Sequence, residues 1–262
     1  MKEKMKNIIN SFHKYNSENM AYLAFGLDNS IVYDVLVVAP SYTPYKFKLE
    51  DTCQVTTLKE GSYVAGYLVE KDGLKIAWVK FGSSDSNLID HVALCAELKF
   101  KKMVFIGAVG ALKAEFELGE ICSPSYSIAG SYAHIYLKES IKDYVPFEKV
   151  EPDMAFVNEV IALGKETGVN IKKASVFCTA SIALEYYHLD EIKEFETDLI
   201  EMETACFYLM ADLLEIQSVA LLVVSDNSAT NTALVGRTEK QQRNYQAGFK
   251  KLCEMIFAIA KM

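Results

Sequence analysis

The sequence predicts an α/β fold built on one mixed sheet with helices on both faces, and three observations carry that expectation. Apolar runs of strand length alternate with segments of helical spacing through most of the 262 residues. The runs Ile31 to Ala39, Lys102 to Ile106 and Val219 to Val224 are apolar almost throughout, as strands covered on both faces must be. Asp72-Gly73 stands between two strand-like runs and is a two-residue turn signature, which places an antiparallel hairpin early in the chain.

Taken in order, residues 1 to about 20 read as a charged, modestly amphipathic helix packed on the edge of the body. Strand 31–39 is halted by Pro40, which cannot donate to a ladder, and a loop follows to about residue 50. Short strands are expected at about 52–58, 62–70 and 73–81, then a helix over 86–99 and a strand at 102–106 that ends in a glycine turn, Gly107-Ala108-Val109-Gly110. Strands near 119–129, a polar loop through 150, a helix over 153–167 and a strand over 171–178 come next. A short strand ending at Glu201 leads into an apolar helix from Thr204, the buried strand 219–224 ends in Ser225-Asp226-Asn227, and a long helix closes the chain over about 238–260.

With 51% hydrophobic residues, no repeat, and five prolines spread along the chain rather than gathered at a hinge, residues 31–262 read as a single domain preceded by the lead segment 1–30. A net charge of −8 argues against a nucleic-acid partner, which calls for a basic stripe. The opening residues lack the apolar stretch of a signal peptide, and no run approaches the ~18 apolar residues of a membrane span. Six scattered cysteines without CxxC pairing suit a reduced, cytoplasmic protein.

Three carboxylates stand where chemistry is usually placed. Glu201 and Glu203 flank Met202 at a strand-to-helix seam, and Asp226 ends a buried strand, where an acid needs a partner or a task. Acids are also favoured at helix starts for reasons of stability alone, so Glu201 and Glu203 keep a structural reading beside the functional one. The paired glycines 107 and 110 would let backbone amides approach an anion or a base edge, or would simply make a turn.

Gly107-x-x-Gly110-Ala111, Glu201-Met202-Glu203-Thr204-Ala205 and Val224-Ser225-Asp226, in this order and spacing, resemble the nucleoside phosphorylase superfamily, which includes purine nucleoside phosphorylases, uridine phosphorylases and methylthioadenosine nucleosidases. The resemblance runs from about residue 31 to the end of the chain. It implies a three-layer fold with a mixed, partly barrel-like central sheet flanked by helices, and cleavage of the N-glycosidic bond of a purine nucleoside or analogue. Glu203 would accept from the ribose 2′- and 3′-hydroxyls, Met202 would pack beneath the sugar, and Glu201 would lie near base or sugar. Asp226 would donate to nitrogen 7 of the purine with Ser225 orienting it, while Ala108, Val109, Gly110 and Ile182 would line the nucleoside. Arg243, with Arg237 as competitor, matches an arginine that moves toward the base-side aspartate. Tyr186-Tyr187 falls where relatives stack a residue on the base, although core packing accounts for either tyrosine singly. The partner implied is a small-molecule nucleoside, the assembly a homodimer or homohexamer, and no metal or cofactor is expected beyond phosphate as a possible co-substrate.

The phosphate pattern of such enzymes is broken. The first strand ends in Pro40-Ser41-Tyr42-Thr43 without glycine or arginine, Phe105 stands where an arginine is expected, and Ala108 where a serine is. Gly107, Ser41 and Ser83 are the remaining candidates for a phosphate site, with Thr43, Lys46, Lys80 and Ser84 as possible supplements. Nor does an acid occur between Ala39 and Leu49 to position water. Phosphorolysis through a non-standard site, hydrolysis, and a non-catalytic nucleoside-binding or storage protein all remain open at this level.

Overall fold

Apolar strands pair into one mixed sheet in a computed structural model that describes residues 1–16 and 18–262. In chain order the elements are α1 (Glu3–His13), α2 (Met20–Phe25), β1 (Val32–Val38), β2 (Gln54–Lys59), β3 (Ala65–Lys71), β4 (Leu74–Lys80), α3 (Asp85–Leu94), β5 (Lys99–Ala111), β6 (Ile121–Ala129), β7 (Lys149–Val150), α4 (Met154–Glu166), β8 (Ile171–Cys178), α5 (Ile182–Glu185), α6 (Leu189–Lys193), β9 (Leu199–Glu201), α7 (Thr204–Leu214), β10 (Gln217–Asn227) and α8 (Glu239–Lys261). Strands β10, β6, β8, β9 and β5 pair in sequence, and β5 pairs back to β10, so these five close into a barrel. Beyond the ring, β1, β4, β3 and β2 continue the sheet as an open wing. The expected partly barrel-like, mixed sheet is thus present.

Alternation along the central strands sorts their side chains onto two apolar faces. Leu36, Val38, Met103, Phe105, Leu222 and Val224 pack toward Leu88 and Val92 of α3, Phe207 and Met210 of α7, and Met5 and Phe25 of α1 and α2. Val35, Val37, Val104, Ile106, Leu221 and Val223 face the other way, onto Phe156 and Val160 of α4 and Phe249, Leu252 and Ile256 of α8. Helices therefore cover both faces, the three layers that continuously apolar strands demand.

Two local predictions show how backbone chemistry acts. Asp72 and Gly73 both take positive φ (52° and 80°) between the paired residues Lys71 and Leu74, as a twisted two-residue hairpin turn requires. Thr238 and Gln241 form a reciprocal capping box that starts α8 at Glu239. The glycine turn after residue 106, by contrast, is not a turn. β5 runs for 13 residues, and Gly107, Ala108 and Val109 stay in the ladder opposite Leu222, Val223 and Val224. The expected helix over 86–99 ends at Leu94, and Lys99 already belongs to β5.

The far edge of β5 changes partner, and this creates space. It pairs with β1 as far as Val38↔Phe105 and with β9 only from Gly110↔Ile200. Between these ladders residues 107–109 have no strand partner on that edge among the described residues, and a cleft opens there.

Candidate active site

The cleft has a volume of about 240 Å³ and collects residues from every element that ends near this gap. Strands β1, β5 and β10 are parallel, so their carboxyl-terminal ends open on the same edge of the sheet, the usual location of ligand sites in such folds. Ser41, Ser83, Gly107, Ala108, Val109, Gly110, Ile182, Glu201, Met202, Glu203, Ser225 and Asp226 all line it. Residues separated by up to 205 positions in the chain are thus brought together, from Pro40 to Tyr245.

Ser225 and Asp226 are neighbours in a strand, and strict alternation would send them to opposite faces. The β5–β10 register shifts between Val224 and Asp226, a bulge that places two residues opposite one and lets both side chains line the cleft. Ser225 Oγ donates to Asp226 Oδ1 at 2.5 Å. Gly110 makes room on the facing strand: a β-carbon there would stand 3.0 Å from Ile200 Cγ2 and 3.1 Å from Asp226 Oδ2. Burial pushes the Asp226 carboxyl above its ordinary value, while the Ser225 hydrogen bond and the Arg237 charge oppose the rise.

Glu201 and Glu203 do different work although two residues apart. The Glu201 carboxylate accepts from the backbone N–H of Glu203 (2.8 Å), the N–H and hydroxyl of Thr204 (3.0 and 2.8 Å), and the thiol of Cys178 (2.9 Å). It thereby satisfies the free amides at the start of α7, which otherwise lack partners. Although Glu201 borders the cleft, its oxygens are occupied by the protein. Glu203, the residue preceding α7, makes no side-chain cap, and its Oε1 is buried without any partner among the described residues. Burial, followed by the nearby Glu201 and Asp85, raises its carboxyl well above the ordinary range.

Several lining residues carried no signal in the sequence. Glu185 is the last residue of a four-residue helix, only 8% exposed, and its carboxyl is pushed up to about 7 by burial and by Asp226. Tyr42 and Tyr245 share a hydroxyl contact of 3.1 Å across 203 residues and both pack against Phe249, Tyr42 tilted and Tyr245 edge-on. Asp85, behind the cleft at the start of α3, accepts from the Ser131 hydroxyl and is raised to about 7, chiefly by burial. None of these acids or tyrosines sits in a recognisable motif.

Arg243 does not line the cleft; it is exposed on α8 and pairs with Glu239 at 3.4 Å, four residues away on the same helix face. Arg237 is the arginine near the site. Its Nε donates to the Ser225 carbonyl at 2.7 Å and its guanidinium lies 4.4 Å from the centre of the Tyr245 ring. Tyr186 and Tyr187 are neither core residues nor lining residues, being 48% and 86% exposed. His91 packs flat on Phe81 at 4.8 Å, and His13 pairs with Glu97 at 2.9 Å.

The supplementary phosphate candidates disperse. Ser41 and Ser83 meet, Oγ to Oγ, at 3.1 Å in the cleft, but Lys80 reaches the Ser62 carbonyl and Ser84 caps α3. Thr43 and Lys46 do not line the cleft. Among the described lining residues there are four carboxylates and no lysine, arginine or histidine.

Residues 35–261 match the family model of the Phosphorylase superfamily, and the chain belongs to that superfamily. A 5′-methylthioadenosine/S-adenosyl homocysteine nucleosidase from Campylobacter jejuni aligns with 87% of this chain and 99% of its own, at 15% identity and a TM-score of 0.68. A purine nucleoside phosphorylase from Toxoplasma gondii, in complex with immucillin-H, aligns with 89% of this chain and 92% of its own at 14% identity and a TM-score of 0.70. An AMP nucleosidase from Bacteroides thetaiotaomicron covers 98% and 100% at 18% identity and a TM-score of 0.68. At these identities the structures share the fold. No curated protein matches the chain by sequence.

Proposed function

We propose that the cleft binds a purine nucleoside or a close analogue and cleaves its N-glycosidic bond, with water as the acceptor. The observation that carries this reading is the lining itself: Glu203, just before α7, and Asp226, in β10, face one cavity, and among the described lining residues no lysine, arginine or histidine faces it with them. Glycosidic cleavage builds positive charge on the sugar and negative charge on the departing base. A carboxylate at the sugar and a protonated acid at the base serve those two ends. Glu203, with an unpartnered oxygen, takes the ribose hydroxyls over Met202, and Asp226, held by Ser225 and raised by burial, supplies the leaving base.

An inorganic phosphate dianion would enter a cavity lined by four carboxylates, in which the described lining residues offer hydroxyls, the Ser41–Ser83 pair among them, but no lysine, arginine or histidine. Charge-assisted contacts, each worth about 1.5–3 kcal/mol, are absent from that end, so water is the better acceptor. A homodimer or homohexamer acting in nucleoside metabolism goes with this reading, and six free cysteines suit a reducing, cytoplasmic setting. Among the described residues no helix is long and apolar enough to cross a membrane.

Incubation with inosine, adenosine and methylthioadenosine, with and without phosphate, tests the proposal. Base release that does not depend on phosphate is expected. Release only with phosphate would replace water by phosphate as acceptor. Tight binding without release across a broad panel would favour a nucleoside-binding protein, a reading to which the absence of an acid beside Ser41 lends weight.

A further inference from the structure

Between β6 and β7 the chain makes an excursion, residues 130–148, and one buried side chain clasps its two limbs. His134, in the short helical turn Ala133–Leu137, is fully buried. Its Nδ1 stands 2.8 Å from the carbonyl oxygen of Ser131, and its Nε2 stands 3.3 Å from that of Val145. A carbonyl oxygen only accepts, and a neutral imidazole carries a single N–H, so both contacts are hydrogen bonds only when the ring is the doubly protonated cation. Glu148 supplies the matching charge, for its Oε2 is buried without a hydrogen bond and lies 3.8 Å from Nε2.

Little else secures the excursion. Leu137 reaches the core, but Tyr132, Tyr136, Ile141, Val145 and Phe147 are exposed. Phe147 also takes a φ of 53°, a conformation that a bulky residue adopts only at a cost. Ser131 ties the clasp to the cleft wall: its hydroxyl donates to Asp85 at the start of α3, Ser84 caps that helix, and Ser83 lines the cleft.

We propose that His134 is a pH-operated latch on residues 131–145, closed while the imidazole is charged and opened when it loses a proton. The neutral ring would turn a lone pair onto one of the two carbonyls, with no water-exposed side to relieve it. Closure takes up a proton, so it is favoured at low pH and lost as pH rises. The groups that set the field around the ring come from each neighbouring element. Glu148 is shared with Lys138, and the Tyr144 ring lies 6.0 Å away. From α1 comes Lys4, whose ammonium is buried without a hydrogen bond and feels Glu139, Lys138 and Asp143. β7 carries Lys149, paired with Glu151, and α3 brings Asp85 through Ser131. The titratable groups of α7 are Cys206, Tyr208 and Asp212, the last paired with Lys2.

Hydrogen–deuterium exchange on the full chain, from about pH 5.5 to about pH 8.5 and corrected for the intrinsic rate, reads the latch. Protection of the amides of residues 131–147, taken relative to that of α8, should fall by about tenfold or more across the range, since release of one proton shifts an equilibrium by up to about tenfold per pH unit. His134→Asn should show the low protection at every pH. Asp85, whose carboxyl is raised to about 7, holds Ser131 and titrates in the same window, so Asp85→Asn is the control. The step should survive in it; a step that vanishes there belongs to Asp85 and overturns the inference. If His134→Asn does not fold, nitrogen NMR of the labelled wild-type ring decides. Protons on both ring nitrogens at low pH, and the loss of one together with the protection of the segment, are expected. A single neutral tautomer throughout, or protection that does not change with pH, overturns the latch. Each of these outcomes leaves the cleavage reading untouched, because none of them measures base release or nucleoside binding.

Discussion

The two ends of the cleft are built from opposite materials. At one end Ser41 and Ser83 offer two hydroxyls, on the loops that follow β1 and β4. At the other, Glu185, Glu203 and Asp226 offer carboxylates that burial has pushed toward protonation. A hydroxyl pair holds water or a neutral group but has no charge with which to hold a dianion. An acidic wall holds ribose hydroxyls, N–H donors or positive charge. On the proposed reading, the contrast is that of a cleft furnished for a nucleoside, with no lysine, arginine or histidine among the described lining residues to grip phosphate.

The sharpest way to break that contrast is to neutralise the base-side acid. Asp226→Asn should lower kcat for a neutral purine nucleoside by about 10²–10⁴-fold, the range for loss of a positioned general acid. Unchanged base release in a steady-state assay would remove Asp226 from the leaving-group role. Next, Glu203→Gln should weaken nucleoside binding by about 10–150-fold, the loss of a hydrogen bond to a charged group. Titration calorimetry with a nucleoside checks this, and unaltered affinity would detach Glu203 from the sugar.

Glu201→Gln tests whether two glutamates of one triplet really divide their labour. Because its oxygens serve the start of α7, the variant should lose about 1–3 kcal/mol of stability, read as a lower urea midpoint at unchanged slope. A stability change no larger than that of Glu203→Gln would erase the distinction.

Asp85 gives a pH signature. Its carboxyl is raised from the ordinary 3.8 to about 7 in the folded chain, so between these values the native state holds a proton that the unfolded chain has released. Its contribution to stability is therefore full below the ordinary value and is lost as pH rises through 7. Asp85→Asn should be spared this loss, and the difference between the two melting curves should grow from pH 5 to pH 8 by at most about 1.4 kcal/mol per pH unit. Parallel curves would show that Asp85 does not titrate in this window. The smallest effect is expected at the Ser41–Ser83 pair, where Ser83→Ala should change kcat/KM by no more than about fivefold, since a neutral hydrogen bond contributes only about 1 kcal/mol. A loss of phosphate-dependent activity on that substitution would instead reveal a phosphate site.

Much of this was legible without coordinates. Asp72-Gly73 announces its hairpin because two consecutive positive φ values restrict the choice of residues. Glu203, Ser225 and Asp226 were legible as candidate cleft residues because they sit at the ends of strongly apolar elements, where polar side chains are conspicuous. Glu185 was not, since a single glutamate between Leu184 and Tyr186 belongs to no motif and looks like any solvated acid until α5 lies against the cleft. Nor could sequence choose between Arg237 and Arg243, six residues apart. That choice depends on Arg237 preceding α8, against the end of β10, while Arg243 falls on the exposed face of the helix.

The chain's own pattern of apolar periods, turn residues and caps settles where strands and helices lie, since those preferences act over a few neighbours. It also limits the chemistry, because two arginines cannot supply a full set of phosphate contacts. The length of β5, the bulge at Ser225 and the state of each carboxyl were decided elsewhere. Gly107 to Val109 remain in a strand because β10 pairs with them, and Asp226 enters the cleft because that pairing slips by one residue. Burial and Coulomb interactions belong to groups far apart in the chain: Glu203 is pushed up by Asp85, and Glu185 by Asp226, and those neighbours exist only once the barrel has closed.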